Sequence, residues 1–268
     1  GRRNTARQRA IDQSQHRGPI SRIVGHQVFW VFAAAIIACL ALSVVTDTFA
    51  TERNLFNVTP NFAFVGIIAI GMTTVISSGG IDLSVGASVV LSAIVVGITM
   101  AAGLPFIVAA MAAIGAVLVV GFVNGILIAY VGMPPFVVTL GMLSFARSIA
   151  LVISNNKMIY EFGPDHDLLL LVGGGSTFGI PHPLVVMVIL AVIMIFVSRW
   201  TRWGQHVYAI GGNENAAIMT GIPVQRVKVS VYMHSALTAG IAGILMAGWL
   251  GGVTTNLGNA MELTVIAA

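Results

Sequence analysis

Asp82 and Arg147 are charged side chains set inside long uncharged stretches, so chemistry is sought first around them. Asp82 belongs to the run Gly79-Gly80-Ile81-Asp82-Leu83-Ser84-Val85-Gly86, which separates apolar stretches at residues 58–78 and 83–102. An ionised carboxylate taken out of water costs several kcal/mol unless it finds partners, and such a residue marks a functional position by default. Three roles are open to it. It can cap or lock a broken helix, because a carboxylate is favourable near the amino end of a helix starting at Leu83. It can contact a solute or carry a proton. It can also pair across helices with Arg147, lowering the cost of both charges. Gly79, Gly80 and Gly86 let the backbone leave helical geometry, and Ser84 can satisfy the groups so freed. Arg147 has the further option of snorkelling outward. Asn124 and Ser144 are polar residues in apolar surroundings, suited to bonding a neighbouring helix or a hydroxylated solute.

Other chemistries lack their residues. The six histidines show no HxxxH spacing, and the single cysteine, Cys39, is expected to pack as a small apolar residue, so no metal site is expected. Gly173-Gly174-Gly175 has no Lys-Ser or Lys-Thr after it, and neither lysine, Lys157 or Lys228, sits in a phosphate-binding loop. No GxSxG nucleophile elbow occurs. The chain reads as non-catalytic and as holding no cofactor of its own.

The elements that must position these residues are membrane spans. Only 8% of the residues are charged and 57% are hydrophobic, against about 25% charged in a soluble domain. The net charge of +4 is concentrated in two segments rather than spread over a surface, which reports topology and not nucleic-acid binding. Residues 1–26 carry Arg2, Arg3, Arg7, Arg9, Arg17 and Arg22 against Asp12 and read as a cytoplasmic basic tail. Residues 27–46 carry no charge, and about 20 residues at 1.5 Å each cross the ~30 Å hydrocarbon core. They read as a first span and not as a cleaved signal, whose apolar core is typically about 7–15 residues.

Further apolar stretches at residues 58–78, 83–102, 105–131, 134–154, 183–200 and 229–252 bring the expectation to seven spans. Arg199, Arg202, Arg226 and Lys228 mark a second basic segment, placed on the same side as the tail by the positive-inside rule. Residues 155–182, with Glu161, Asp165 and Asp167, then form an outward loop, periplasmic in a bacterium. Pro134-Pro135 and the Asp82 run interrupt their segments, as broken helices lining a polar pathway do. Gly121/Gly125 and Gly248/Gly252 form GxxxG pairs, read as packing within the chain rather than between subunits. The fold expected is an all-α integral membrane protein, a multispanning bundle with broken helices and at least seven spans. The chain stops inside the apolar run 263–268 and reads as incomplete at its carboxyl end.

One polar segment remains, Gly211-Gly212-Asn213-Glu214-Asn215-Ala216-Ala217-Ile218-Met219-Thr220-Gly221-Ile222-Pro223. Asn213 can cap a helix of about two turns with Glu214 in its first turn, and Gly221 and Pro223 end it. Ala216, Ala217 and Met219 are expected to be available for contact, and such a helix fits a groove on a partner.

GGIDLSVG at 79–86, GQHVYAIGGNENAAIMTGIPVQRVK at 204–228 and ELTVIAA at 262–268 together resemble permease subunits of ATP-binding-cassette monosaccharide importers. That family includes ribose, galactose, xylose and autoinducer-2 permeases and, more distantly, branched-chain amino-acid permeases. The likeness runs from about residue 58 to the end. It implies a bacterial inner-membrane subunit with a cytoplasmic amino terminus, acting as a homodimer that moves a small sugar inward. It also implies an ABC ATPase or tandem ATPase that binds ATP and Mg, and a periplasmic sugar-binding protein. Gly212, Asn213, Glu214, Ala216, Ala217 and Gly221 would form the coupling segment, within cytoplasmic residues 199–228, that docks on the ATPase. Gly79, Gly80, Asp82, Ser84, Gly86, Asn124 and Arg147 would belong to the translocation path or its helix break. A branched-chain amino-acid or nucleoside permease is the alternative. A proton-coupled transporter using Asp82 is a second.

Overall fold

The computed structural model describes residues 27–268 and divides into two compact units, one ending at Leu55 and one starting at Phe56. The basic tail read at residues 1–26 lies outside the described residues. In the first unit, α1 (Gln27–Val45) has 19 residues, about 28 Å of helix. Cys39 is exposed on α1 rather than packed inside, because this apolar helix presents its side chains outward.

α2 (Glu52–Ser77) leads into the second unit, with Pro60 inside it. There follow α3 (Val85–Ala101), α4 (Phe106–Ala129), α5 (Pro135–Ile153), α6 (His166–Gly174), α7 (His182–Trp200), α8 (Arg202–Gly212), α9 (Glu214–Met219), α10 (Val224–Leu250) and α11 (Met261–Ala267). A two-residue hairpin, Ser176–Thr177 with Ile180–Pro181, precedes α7. Among the described residues, five helices are long and apolar enough to cross a membrane: α2 from Phe56, α4, α5, α7 and α10. The apolar part of α1, Ala33–Val45, and α3 are shorter. In α3 the shortfall is the break itself, since residues 79–84 consume the turn that would have completed the span.

The bundle is organised around α10, which packs most extensively on α4 and then on α3 and α6. Glycines permit these approaches. A Cβ on Gly121 or Gly125 would lie 2.6 Å from Tyr232 or Val229 backbone atoms of α10, and one on Gly243 would lie 2.3 Å from the Val89 carbonyl of α3. The GxxxG pair of α4 is therefore spent inside the chain. Gly248 meets Gly173 and the Leu169 carbonyl, which seats α6 on α10. That helix lies within residues 155–182, where the sequence indicates only a loop; its apolar run Leu168–Val172 is too short to carry a periodic signal. At the opposite extreme α7 buries almost none of its residues fully: Val186, Met187 and Leu190 rest against the core while Val188, Ile189, Val192, Ile193 and Phe196 are exposed, an apolar face with lipid as its natural solvent.

The two ends of the second unit differ. At one end Asp165 accepts a hydrogen bond from the Phe106 amide at 2.8 Å, supplying the amino terminus of α4 with an acceptor that Pro105 lacks. Ile159 and Val253 exchange both backbone bonds there, at 3.0 and 2.8 Å, and Thr255 bonds Asn156. At the other end lie the last turn of α2, the Asp82 run, the α4–α5 turn, and α8 with α9.

Candidate functional site

The break between α2 and α3 begins at Gly79, whose φ of +82° is a left-handed conformation that closes α2. α3 then starts at Val85, two residues later than the sequence indicates, and its cap position, Ser84, makes no side-chain cap. Asp82 does the capping from two residues upstream. Its Oδ1 accepts from the Ser84 amide at 2.9 Å and from the Ser84 hydroxyl at 2.6 Å. Its Oδ2 accepts from Ser235 of α10 at 2.8 Å. Asn124 of α4 donates its amide to Ser84 Oγ at 2.9 Å. Asp82 is only 1% exposed, and Ser84, Asn124 and Ser235 are equally buried. One carboxylate thus ties three elements together within an apolar bundle, and its cost is met by three hydrogen bonds to a charged acceptor.

Asp82 and Arg147 do not pair, which settles that alternative. The ion pair found among the described residues is Lys228 with Glu214. Arg147 instead donates to Asn259 beyond α10, and its Nε and Nη2 are buried without protein partners. It therefore does not snorkel. Gly86 belongs with this second cluster, because a Cβ there would lie 2.4 Å from Glu262 and 2.8 Å from the Gly258 carbonyl. Ser144 faces outward. Asn259 and Glu262 were not evident as site residues, since they lie between the last long apolar stretch and the apolar run at 263–268 and match no motif of their own.

The polar segment forms as its residues require. Asn213 Oδ1 accepts from the Ala216 amide at 3.0 Å, α9 runs over Glu214–Met219, and Gly221 has a φ of +82°. One expectation is corrected. Ala217 is not available for contact: it is 3% exposed and faces the bundle, whereas Met219 is 88% exposed and Ile218 half-exposed. Of the six residues of α9 only Ala217 turns inward; Ala216 stays exposed, as expected, together with Ile218 and Met219. Glu214 is held by Lys228 of α10 at 2.7 Å. Trp203 of α8 donates to Ser230 of α10 at 2.7 Å.

The break and this polar turn meet. A cavity of about 270 Å³ is lined by Gly79 and Gly80 from the break, Gly212, Asn213 and Glu214 from the polar turn, and Lys228 and Tyr232 from α10. Gly211 presses against the end of α2 so closely that a Cβ would lie 1.9 Å from the Ser77 carbonyl oxygen. Gly80 faces the Tyr232 hydroxyl, 2.5 Å from where a Cβ would stand. Tyr232 and Ser235 carried no signal in the sequence, being hydroxyl-bearing residues in a span that reads as ordinary apolar packing.

An apolar helical bundle, interrupted by a buried polar break that lies against an exposed helical turn, is the make-up of a membrane-spanning protein with a polar interior. Residues 54–268 match the family described as branched-chain amino acid transport system / permease component, and the chain belongs to that family. It is 37% identical to the ribose import permease protein of Bacillus subtilis, over 88% of this chain and 73% of that protein. It is 35% identical to the D-allose transport system permease protein of Escherichia coli, over 90% of this chain and 75% of that one. The L-arabinose ABC transporter permease protein of Azospirillum brasilense is 31% identical over 97% and 75%. No solved structure matches the chain.

Proposed function

We propose that this chain is the permease subunit of an ATP-driven importer that carries a small sugar, a pentose, hexose or polyol, across the bacterial inner membrane. The observation that carries the reading is the direct contact between the polar break and the docking turn at one end of the bundle. A machine that converts work done on its surface into opening of its interior needs the two in contact. The sugar is favoured over an amino acid or nucleoside because similar permeases are named for ribose, allose and arabinose. Three hydrogen bonds to Asp82 from fixed serine groups favour a structural lock over a proton carrier.

In this reading residues 27–268 form the permease domain. Residues 199–228 face the cytoplasm, in keeping with Arg199, Arg202, Arg226 and Lys228, and residues 155–182 face the periplasm. The basic tail at residues 1–26 is cytoplasmic as well. Ile218 and Met219 enter a groove on an ABC ATPase, which binds ATP and Mg and performs the hydrolysis; this subunit holds no cofactor and catalyses no step. A periplasmic binding protein delivers the sugar, and a second copy of the permease completes the path.

The test is reconstitution of permease, ATPase and binding protein in liposomes, with a panel of pentoses and hexoses. Uptake that requires ATP and the binding protein, and stays unchanged when the proton gradient is collapsed, is expected. Uptake that follows the proton gradient without ATPase would sink the reading.

A further inference from the structure

Lys228, Tyr232 and Ser235 stand at positions i, i+4 and i+7 of α10 and so share one face of the helix. Each touches a different part of the machinery. Lys228 holds Glu214 of the docking turn, Tyr232 presses its hydroxyl on Gly80, and Ser235 donates to Asp82. The seven steps from Lys228 to Ser235 span about 10 Å of continuous helix. The geometry points to this face as the transmission line from the docking turn to the buried lock, with Ser235 as the positioning residue at its inner end. The inference rests on the importer reading.

A second contact makes the line directional. Gly211 bears on the Ser77 carbonyl, so the docking segment also holds the end of α2, on the other side of the break. A displacement of α8 and α9 reaches the Asp82 run by two routes, through α2 and through α10. Whenever the two routes move unequally, the difference falls on the bonds that cross the break, and Ser235 to Asp82 is the bond between α10 and the break. The Tyr232 hydroxyl has no protein partner, so at Gly80 the contact is steric and can slide. The Ser235 bond has two discrete conditions, made or broken, which is what a switch between two permease states requires.

The test measures sugar carried per ATP hydrolysed, in liposomes holding the full complex. Ser235→Ala is expected to keep ATP hydrolysis while the ratio falls about fivefold or more. Ser235→Thr retains the hydroxyl and is expected to stay near the wild-type ratio. Glu214→Lys and Lys228→Glu are each expected to lower the ratio, and the double reversal to restore it. A wild-type ratio in Ser235→Ala, an equal loss in Ser235→Thr, or a double reversal no better than its parts would each overturn the inference. A wild-type complex that shows no sugar-dependent hydrolysis fails the importer reading instead. The line is then tested in the solubilised protein through the melting temperatures of Lys228→Met, Ser235→Ala and the double variant. Non-additive shifts support it, and strictly additive shifts overturn it.

Discussion

Replacing Asp82 separates a structural lock from a proton carrier, because alanine and asparagine remove different things. Asp82→Ala deletes the acceptor of three hydrogen bonds, two from Ser84 and one from Ser235. Bonds to a charged acceptor contribute about 1.5–3 kcal/mol each, a gross loss of about 4–9 kcal/mol, and the Ser84 amide left unpaired adds to it. Removing the carboxylate also returns its desolvation cost, which is several kcal/mol. The net effect expected is destabilisation by about 2–4 kcal/mol, or a melting temperature lower by about 4–16 °C. Asp82→Asn keeps an oxygen for both Ser84 bonds, and its amide can donate to Ser235, whose hydroxyl turns from donor to acceptor. The charge assistance is lost, but so is the desolvation cost, and the change expected is within about 1 kcal/mol. The assay is a melt of the purified protein in detergent, followed by uptake in liposomes. The lock predicts that asparagine retains most of the uptake and alanine loses stability. An asparagine variant that melts like wild type yet carries no sugar would refute the lock in favour of a functional charge. Unchanged stability in the alanine variant would show that the network contributes nothing.

Other expectations follow from single contacts. Gly211→Ala places a Cβ into the Ser77 carbonyl and is expected to cost about 1–3 kcal/mol, read as a lower melting temperature. Gly125→Leu forces α4 off Val229 and is expected to destabilise the single subunit; a change confined to oligomeric state, seen by light scattering, would contradict the intrachain packing. Lys228→Met breaks a pair that is partly exposed on both sides, so stability is expected to change by no more than about 1 kcal/mol. Met219→Asp leaves the fold intact, since Met219 is exposed, and is expected to abolish co-purification of the ATPase; full assembly would remove α9 from the docking role.

Long apolar stretches made the spans legible, because a bilayer demands about twenty such residues whatever their neighbours do. The short capped helix at Glu214–Met219 was legible too, since Asn213, Gly221 and Pro223 are local signals that need no tertiary contact. The carboxylate lock was legible by half. A charge inside an apolar run announces a site, and Asn124 stood out as a polar residue in apolar surroundings, but that it bonds Ser84, and that Ser235, 153 residues on, bonds Asp82, is marked by nothing local. Arg147 was misleading for the same reason: its acceptor, Asn259, stands 112 residues on and carries no local signal. The inward turn of Ala217 depends on helical phase in a segment of six residues, too short for periodicity to fix.

The fastening of the far end sets how movement is distributed along the bundle. Asp165 on the Phe106 amide and the paired backbones of Ile159 and Val253 hold α4, the 155–165 stretch and the tail of α10 to one another. Among the described residues, the end that carries the Asp82 break shows no comparable backbone pairing with the polar turn of α8 and α9; the polar contacts there are side-chain bonds and one ion pair. If the bundle moves, these contacts make it a pair of tweezers pinned at the far end. α4 has 24 residues, about 36 Å of helix, so a tilt of about 5° about the pin moves the jaw by about 3 Å. That is the length of one hydrogen bond, so a small rotation of α4 would be enough to part Asn124 from Ser84 while the pinned end stays still.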